Sequence, residues 1–325
     1  MTISNDATRF GFRIAGDCRN DRRLIDWPSA FLAYSQCDQR AEPDAEGYLS
    51  AFTFGDDFRE HLQATGTTKG FAGVTCSPWL WFDVDRDELN TATTDARRLV
   101  AGLLERYSLT GDELLIFFSG SKGYHVGLPT SLWTPTPSVD FHQSCRKQAE
   151  AIAAVCGVAI DSGVYDRVRA FRAPNSRHQR TGRYKRFLTL DELLSLRPER
   201  IVELANSPEP FDLPATPGRN GQAVQDWATA VTAVGQQTAF ARQRRLTAGG
   251  PSALNRSTLE FIRDGADAGD RHRLLFAAAA NLAELGCSFE LAFALLSESA
   301  LDSGLPPADV RRQIECGLNH NRGPQ

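Results

Sequence analysis

The chain lacks paired cysteine motifs, long apolar runs and a dominant charge of one sign. Its seven cysteines are scattered at 18, 37, 76, 145, 156, 287 and 316, an odd number with no C-x-x-C pair. That pattern argues against a zinc knuckle or a disulfide framework and for reduced thiols in a cytoplasmic protein. No apolar stretch is long enough to span a bilayer, so no membrane partner is expected. The opening MTISNDATRF has no apolar h-region, and no secretion signal is expected. A net charge of −4 gives no global nucleic-acid signature. Any such binding must come from a local basic patch, such as the run from Arg167 to Arg186. No internal repeat is visible.

What is present is a globular composition. The chain has 325 residues, 42% of them hydrophobic and 23% charged, enough for one large core or two domains. Residues 1–8 read as frayed, and 9–73 as mixed, with a strand at 48–54 and a helix at 56–65. WLWFDVD (79–85) reads as a strand. Thr94 and Asp95 offer helix-start chemistry ahead of ARRLVAGLLERY. LLIFFSG (114–120) and YHVGLP (124–129) read as two strands joined by a tight turn. An amphipathic face predicts a helix over 139–156, ended by Gly157, and LDELLSL (190–196) predicts another. The Pro- and Gly-rich segment 206–221 predicts a boundary. The resulting division is a catalytic domain over 1–205, a linker with a helix over 206–250, and a helical domain over 251–325, with helices at 271–285, 288–301 and 307–320.

The chemistry concentrates in three places. In a strand, side chains alternate between faces, so Asp83 and Asp85 share one face, roughly 6–7 Å apart, while Val84 points into the other layer. Two like charges there are unfavourable unless neutralised, and carboxylates are hard ligands suited to Mg²⁺ or Mn²⁺. A pair can hold two ions and orient an in-line attack on phosphate. A solvated strand end carries the same letters, because a lone D-x-D is common. Second, SGSKGYH (119–125) packs Ser119, Ser121, Lys122, Gly123 and His125 into one turn. Glycines let backbone N–H groups approach phosphate oxygens, and the serines and lysine add donors and charge. Tyr124 and His125 point to opposite faces, so His125 can aim at the turn's ligand. An ordinary hairpin with a surface lysine is the bland alternative. Third, Asp161 follows the apolar VAI as Asp83 follows LWF. It reads either as a third ligand or as a turn residue ahead of Ser-Gly. Arg172 and His178 follow within a dense basic run. That density suits a triphosphate and a nucleic-acid backbone, or a solvated loop.

FDVD, SGSKGYHV and IDSGVY…FRAPNSRH, in that order, resemble the three-motif signature of the archaeo-eukaryotic primase superfamily, nearest its primase-polymerase branch and the polymerase domains of bacterial end-joining ligases. The first motif, a hydrophobic run ending in D-x-D, is matched by Asp83 and Asp85. The second is matched by Ser119, Gly120, Lys122, Gly123 and His125, and the third by Ile160 and Asp161. The match covers roughly residues 70–190, and three motifs in order are far more specific than one. The resemblance implies an α+β core, an RRM-like antiparallel sheet fused to an N-terminal α/β unit and followed by a small all-α domain. It implies nucleotidyl transfer from NTPs or dNTPs to primers on single-stranded DNA, with two Mg²⁺ or Mn²⁺ ions on Asp83, Asp85 and Asp161. In the primase-polymerases the arginine matching Arg172 binds the triphosphate, and His178 lies where some relatives have a phosphate-binding lysine. The segments GDRHRLLFAAAANLAELG and LPPADVRRQIECGLNH resemble the helical domain that follows the core in many phage and plasmid primases, which implies help with priming. A replicative helicase stays open as a partner. Many relatives carry a zinc module; no structural zinc is expected here. Two other classes stay open: a glycosyltransferase using the D-x-D, and a non-catalytic nucleic-acid-binding module.

Overall fold

A computed structural model describes residues 8–247, 254–267 and 269–320. The chain divides into two compact units, Met1–Thr238 and Ala239–Gln325. The fold is α+β. The first unit holds β1 (Phe10–Ala15), β2 (Arg23–Asp26), α1 (Trp27–Ser35), β3 (Gly47–Ser50), β4 (Thr53–Phe54), α2 (Asp56–Thr65) and β5 (Thr75–Cys76). It continues through β6 (Trp79–Asp85), α3 (Leu89–Tyr107), β7 (Leu115–Phe118), β8 (Gly123–Pro129) and α4 (Phe141–Val155). Then come β9 (Ala170–Arg172), β10 (Arg186–Phe187), α5 (Leu190–Ser195) and α6 (Pro198–Leu204). The long helix α7 (Gly221–Thr247) runs across the division between the units.

The strands form two antiparallel sheets. One runs β5-β4-β1-β3-β9, with β2 also paired to β1; the other runs β10-β7-β8-β6. On β6, Phe82 and Val84 are fully buried on the face where Tyr124 reaches α3 through its hydroxyl, 2.8 Å from Thr93 Oγ1. The opposite face carries Trp81, Asp83 and Asp85 and meets Phe171 of β9, whose ring lies 5.3 Å from that of Trp81. The site therefore lies on the side of this sheet that faces the other one.

Several expected boundaries shift, each for a local reason. The strand read at 48–54 is broken at Ala51–Phe52. Arg13 pairs with Leu49 and Phe10 with Phe54, so three residue steps on β1 oppose five. This bulge frees β3 to pair with β9 and β4 to pair with β5. Helix α3 starts at Leu89, not at Thr94. Thr93 and Thr94 donate their hydroxyls back to the carbonyls of Leu89 and Asn90, the four-residue bond of a helix interior. Asp95 is engaged by Arg86 at 2.8 Å. The helix read at 56–65 has those bounds, and Gly157 closes α4 with φ +64°. Residues 206–238, read as the start of a linker, belong to the first unit. Phe211 stacks on Phe187 at 4.6 Å, and the Arg106 guanidinium grips Asp226 at 2.7 Å.

The second unit is helical: α8 (Arg256–Asp264), α9 (Arg271–Glu284), α10 (Phe289–Asp302) and α11 (Pro307–Asn319). Phe261, Leu275, Leu282, Leu296, Val310 and Ile314 form its core. Among the described residues, no helix is long and apolar enough to cross a membrane.

Candidate active site

The site is built on the outer edge of β6. Its inner edge pairs with β8 in the register Asp83↔His125 and Asp85↔Gly123. Directly opposed residues share a face, so His125 stands on the acid side, its Nε2 3.6 Å from Asp83 Oδ1. Gly123 is required at this register: a Cβ there would lie 2.7 Å from the Val84 carbonyl oxygen and 3.2 Å from Asp85 Oδ1.

Among the described residues the outer edge has no strand beside it, and carbonyls along it are taken by the segment carrying the third motif. The Asp161 amide donates to the Asp83 carbonyl at 2.9 Å, and the Tyr165 hydroxyl donates to the Trp81 carbonyl at 2.5 Å. Arg86 completes the attachment, donating to the carbonyls of Asp85 and Ala159 at 2.6 Å each while paired with Asp95. Asp161 is thereby fixed beside the D-x-D strand. It also serves as a turn residue, since its Oδ1 accepts from the Gly163 amide at 2.8 Å.

Electrostatics register the convergence. Burial, with Asp161 and Asp85 nearby, pushes the Asp83 carboxyl up to about 7. Burial, with Lys185 and Arg172 nearby, pushes His125 well below its ordinary value, so its imidazole is neutral at pH 7. Titratable groups shifted by burial together with specific charge partners make the place a functional-site candidate.

The turn SGSKG is shaped by its own groups. Ser119 Oγ accepts from the amides of Ser121 and Gly123 at 3.4 and 3.2 Å, so these two donors face the hydroxyl. Gly120 has φ +84°, and a Cβ there would press on the carbonyls of Tyr184 and Arg183. Its own carbonyl accepts from Thr181 Oγ1 at 2.6 Å, which ties the turn to the basic loop. Lys122 is drawn off to the surface, paired with Asp87 at 3.2 Å. Ser121 is half-buried. His178 Nδ1 accepts from the amides of Arg180 and Thr181 at 3.2 and 3.4 Å. The neutral ring therefore carries its proton on Nε2 as a donor.

Arg172 pairs with Glu46 at 3.1 Å and bonds Tyr48 Oη at 3.2 Å. Glu46 and Tyr48 did not stand out in the sequence, although E-x-Y at the start of a strand places both on one face. Lys185 was read only as one charge in a basic run. It is almost fully buried, its Nζ donates to the Arg172 carbonyl at 2.8 Å, and it lies 4.4–5.2 Å from the rings of Phe171, Phe117 and Trp81. Burial holds its pKa well below the ordinary value. The alternation in RYKRF was the available signal, since Lys185 and Phe187 share the inner face.

Among the described residues, no three His, Cys, Asp or Glu side chains form a ready metal-binding group. Mg²⁺ ordinarily takes one or two carboxylates and completes its shell with water and substrate phosphates. Asp83, Asp85 and Asp161 offer that kind of all-oxygen donor set, and the mutual repulsion felt at Asp83 is relieved by a cation. The residues present fit Mg²⁺ or Mn²⁺ on those terms.

No family model and no curated protein sequence matches the chain. Among solved structures it is similar to the crystal structure of primase RepB′, at 14% identity and TM-score 0.37, covering 98% of this chain and 90% of that one. It is also similar to the AEP domain of the cyanophage S-2L primase-polymerase (PrimPol), at 16% identity and TM-score 0.32, covering 61% of this chain and 89% of that one.

Proposed function

We propose that this chain is a DNA-dependent primase-polymerase that makes or extends primers on single-stranded DNA by nucleotidyl transfer from NTPs or dNTPs. The observation that carries this reading is the amide of Asp161 bonded to the carbonyl of Asp83 across the free edge of β6. It gathers the acids of two distant motifs beside a histidine and a cationic loop, the parts this reaction needs. In the reaction the oxygen of a primer 3′-hydroxyl attacks the α-phosphorus, the bond to pyrophosphate breaks, and the hydroxyl proton leaves to solvent. Asp83, Asp85 and Asp161 would hold two Mg²⁺ or Mn²⁺ ions. When bound, such ions lower the pKa of the attacking hydroxyl and stabilise the leaving pyrophosphate.

The chain's own contribution is position and charge. Arg172 supplies a fixed guanidinium. His178 supplies a neutral N–H donor, and Ser121 a hydroxyl, to phosphate oxygens. His125, neutral and held against Phe171 with ring centroids 4.3 Å apart, donates or accepts without adding charge beside Asp83. Lys122 reaches the triphosphate after leaving Asp87. The exposed Arg177 and Arg180 suit the phosphates of a template strand.

The test is incorporation of labelled dATP or ATP on single-stranded DNA, with and without primer, with Mg²⁺ or Mn²⁺ and with EDTA. Asp83→Ala with Asp85→Ala is expected to abolish incorporation while the protein stays folded. Near-normal incorporation by that folded double variant, or activity indifferent to EDTA, contradicts the assignment.

A further inference from the structure

The proposed reading leaves Arg172 as a bare charge, yet the structure treats it as an oriented fork. Tyr48 and Arg172 are cross-strand partners in the β3–β9 ladder, and the guanidinium lies over the Tyr48 ring at 5.0 Å. Glu46 lies two residues before Tyr48. The Tyr48 hydroxyl donates to Glu46 Oε1 at 2.6 Å, and Arg172 Nη1 donates to that same oxygen at 3.1 Å. Arg172 Nη2 donates to Tyr48 Oη at 3.2 Å, and Nη1 makes a longer contact to the Arg177 carbonyl at 3.4 Å.

A guanidinium carries five N–H donors in a rigid plane. The contacts with Glu46, Tyr48 and Arg177 use three. Tyr48 Oη sits 2.6 Å from the carboxylate oxygen that Nη1 binds, so both partners lie along the Nη1/Nη2 edge. The remaining donors are Nε–H and the outer hydrogen of Nη2. They are parallel, adjacent and without a partner among the described residues. Two parallel N–H groups at that spacing match two oxygens of one phosphate. Side-chain exposures of 13% for Arg172 and 9% for Glu46 mean that solvent screens the clamp little.

We propose that Glu46 and Tyr48 are positioning residues that hold Arg172 by its Nη1/Nη2 edge and leave its Nε/Nη2 edge as a bidentate receptor for one phosphate of the incoming nucleoside triphosphate. This rests on the nucleotidyl-transfer reading. The Glu46 charge opposes anion binding at Arg172, so the pair contributes orientation at some cost in attraction. The two effects separate in a matched set of substitutions. Glu46→Gln keeps an acceptor oxygen for Arg172 and Tyr48 and removes the charge. Glu46→Ala removes the charge and the acceptor together. Tyr48→Phe keeps the ring and the charge and removes the hydroxyl that ties Glu46 to Nη2.

The experiment is calorimetric titration of the full chain with a non-hydrolysable deoxyadenosine triphosphate analogue in Mg²⁺, beside thermal melting of each variant. Glu46→Ala is expected to bind at least about five-fold more weakly than Glu46→Gln, and Tyr48→Phe about two- to four-fold more weakly than wild type while still melting cooperatively above the titration temperature. In steady-state incorporation the loss appears in KM and not in kcat. Equal affinities for the two Glu46 variants, or wild-type affinity in Tyr48→Phe, overturn the clamp. If Glu46→Ala fails to fold, Tyr48→Phe alone decides. A wild-type chain that binds no triphosphate overturns the underlying functional reading, whereas wild-type binding with equal Glu46 variants overturns the clamp alone.

Discussion

The Asp83 carboxyl gives a prediction that separates a strained acid cluster from a merely solvated strand end. Burial and the nearby Asp161 and Asp85 raise its pKa from 3.8 to about 7. The sign follows from proton counting. Below pH 4 both folded and unfolded chains hold the proton, and the group is neutral in its effect. Between about pH 4 and 7 the unfolded chain releases the proton and the folded chain keeps it, so stability falls as pH rises. Above 7 the loss is constant, and the gap between the two pKa values corresponds to on the order of 4 kcal/mol as an upper bound. Asp83→Asn removes the ionisation and keeps the shape. In metal-free buffer its stability should match wild type near pH 4 and exceed it by about 2–4 kcal/mol at pH 8. A divalent cation should narrow or close the gap at pH 8. It stabilises wild type by about 2.7 kcal/mol at a hundred-fold excess over its dissociation constant, and it should leave Asp83→Asn nearly unmoved. Urea denaturation across pH 4–8.5, with and without Mg²⁺ or Mn²⁺, measures all of this. A stability difference between the two proteins that is flat with pH would refute the clustering argument, and equal stabilisation of both by cation would refute Asp83 as a ligand.

Two further outcomes test how the site is assembled. Gly123→Ala drives a Cβ to 2.7 Å from the Val84 carbonyl, a backbone clash that only a shift of the β6–β8 pairing relieves. It should cost about 1–3 kcal/mol and reduce incorporation at least ten-fold, whereas wild-type activity would mean that the register at Asp85 is unimportant. Tyr165→Phe leaves the buried Trp81 carbonyl without its 2.5 Å donor. It should destabilise by about 1–3 kcal/mol in chemical denaturation and loosen the Asp161 segment, seen as faster hydrogen exchange of the Asp161 amide; unchanged exchange would detach Tyr165 from the placement of Asp161.

How much was legible in the letters depended on the range of the interaction. Period-two alternation put Asp83 and Asp85 on one face and Tyr124 and His125 on opposite faces, and the structure has Val84 and Tyr124 on the α3 side. The helix at 56–65 and the stop at Gly157 were readable because caps and amphipathic faces are encoded within a few residues. The start of α3 was misread because Thr and Asp serve equally as caps and as helix-interior residues. Only the partners, Arg86 for Asp95 and the i−4 carbonyls for Thr93 and Thr94, tell the two apart. Lys122 read as a phosphate ligand, and in the structure its amine pairs with Asp87, which the letters did not indicate.

By itself the sequence determined the order of three chemical motifs, the face that Asp83, Asp85 and His125 occupy on their strands, and most of the helices, because those follow from backbone periodicity. Only the tertiary structure decided that the free carbonyl edge of β6 receives the Asp161 amide, that three aromatic rings enclose the Lys185 amine, and that Glu46 and Tyr48 grip one edge of Arg172. Each of these joins residues far apart in the chain through hydrogen bonds and burial. Such contacts depend on which edges and faces remain unsatisfied once the sheets have formed, and no local pattern of residues records that.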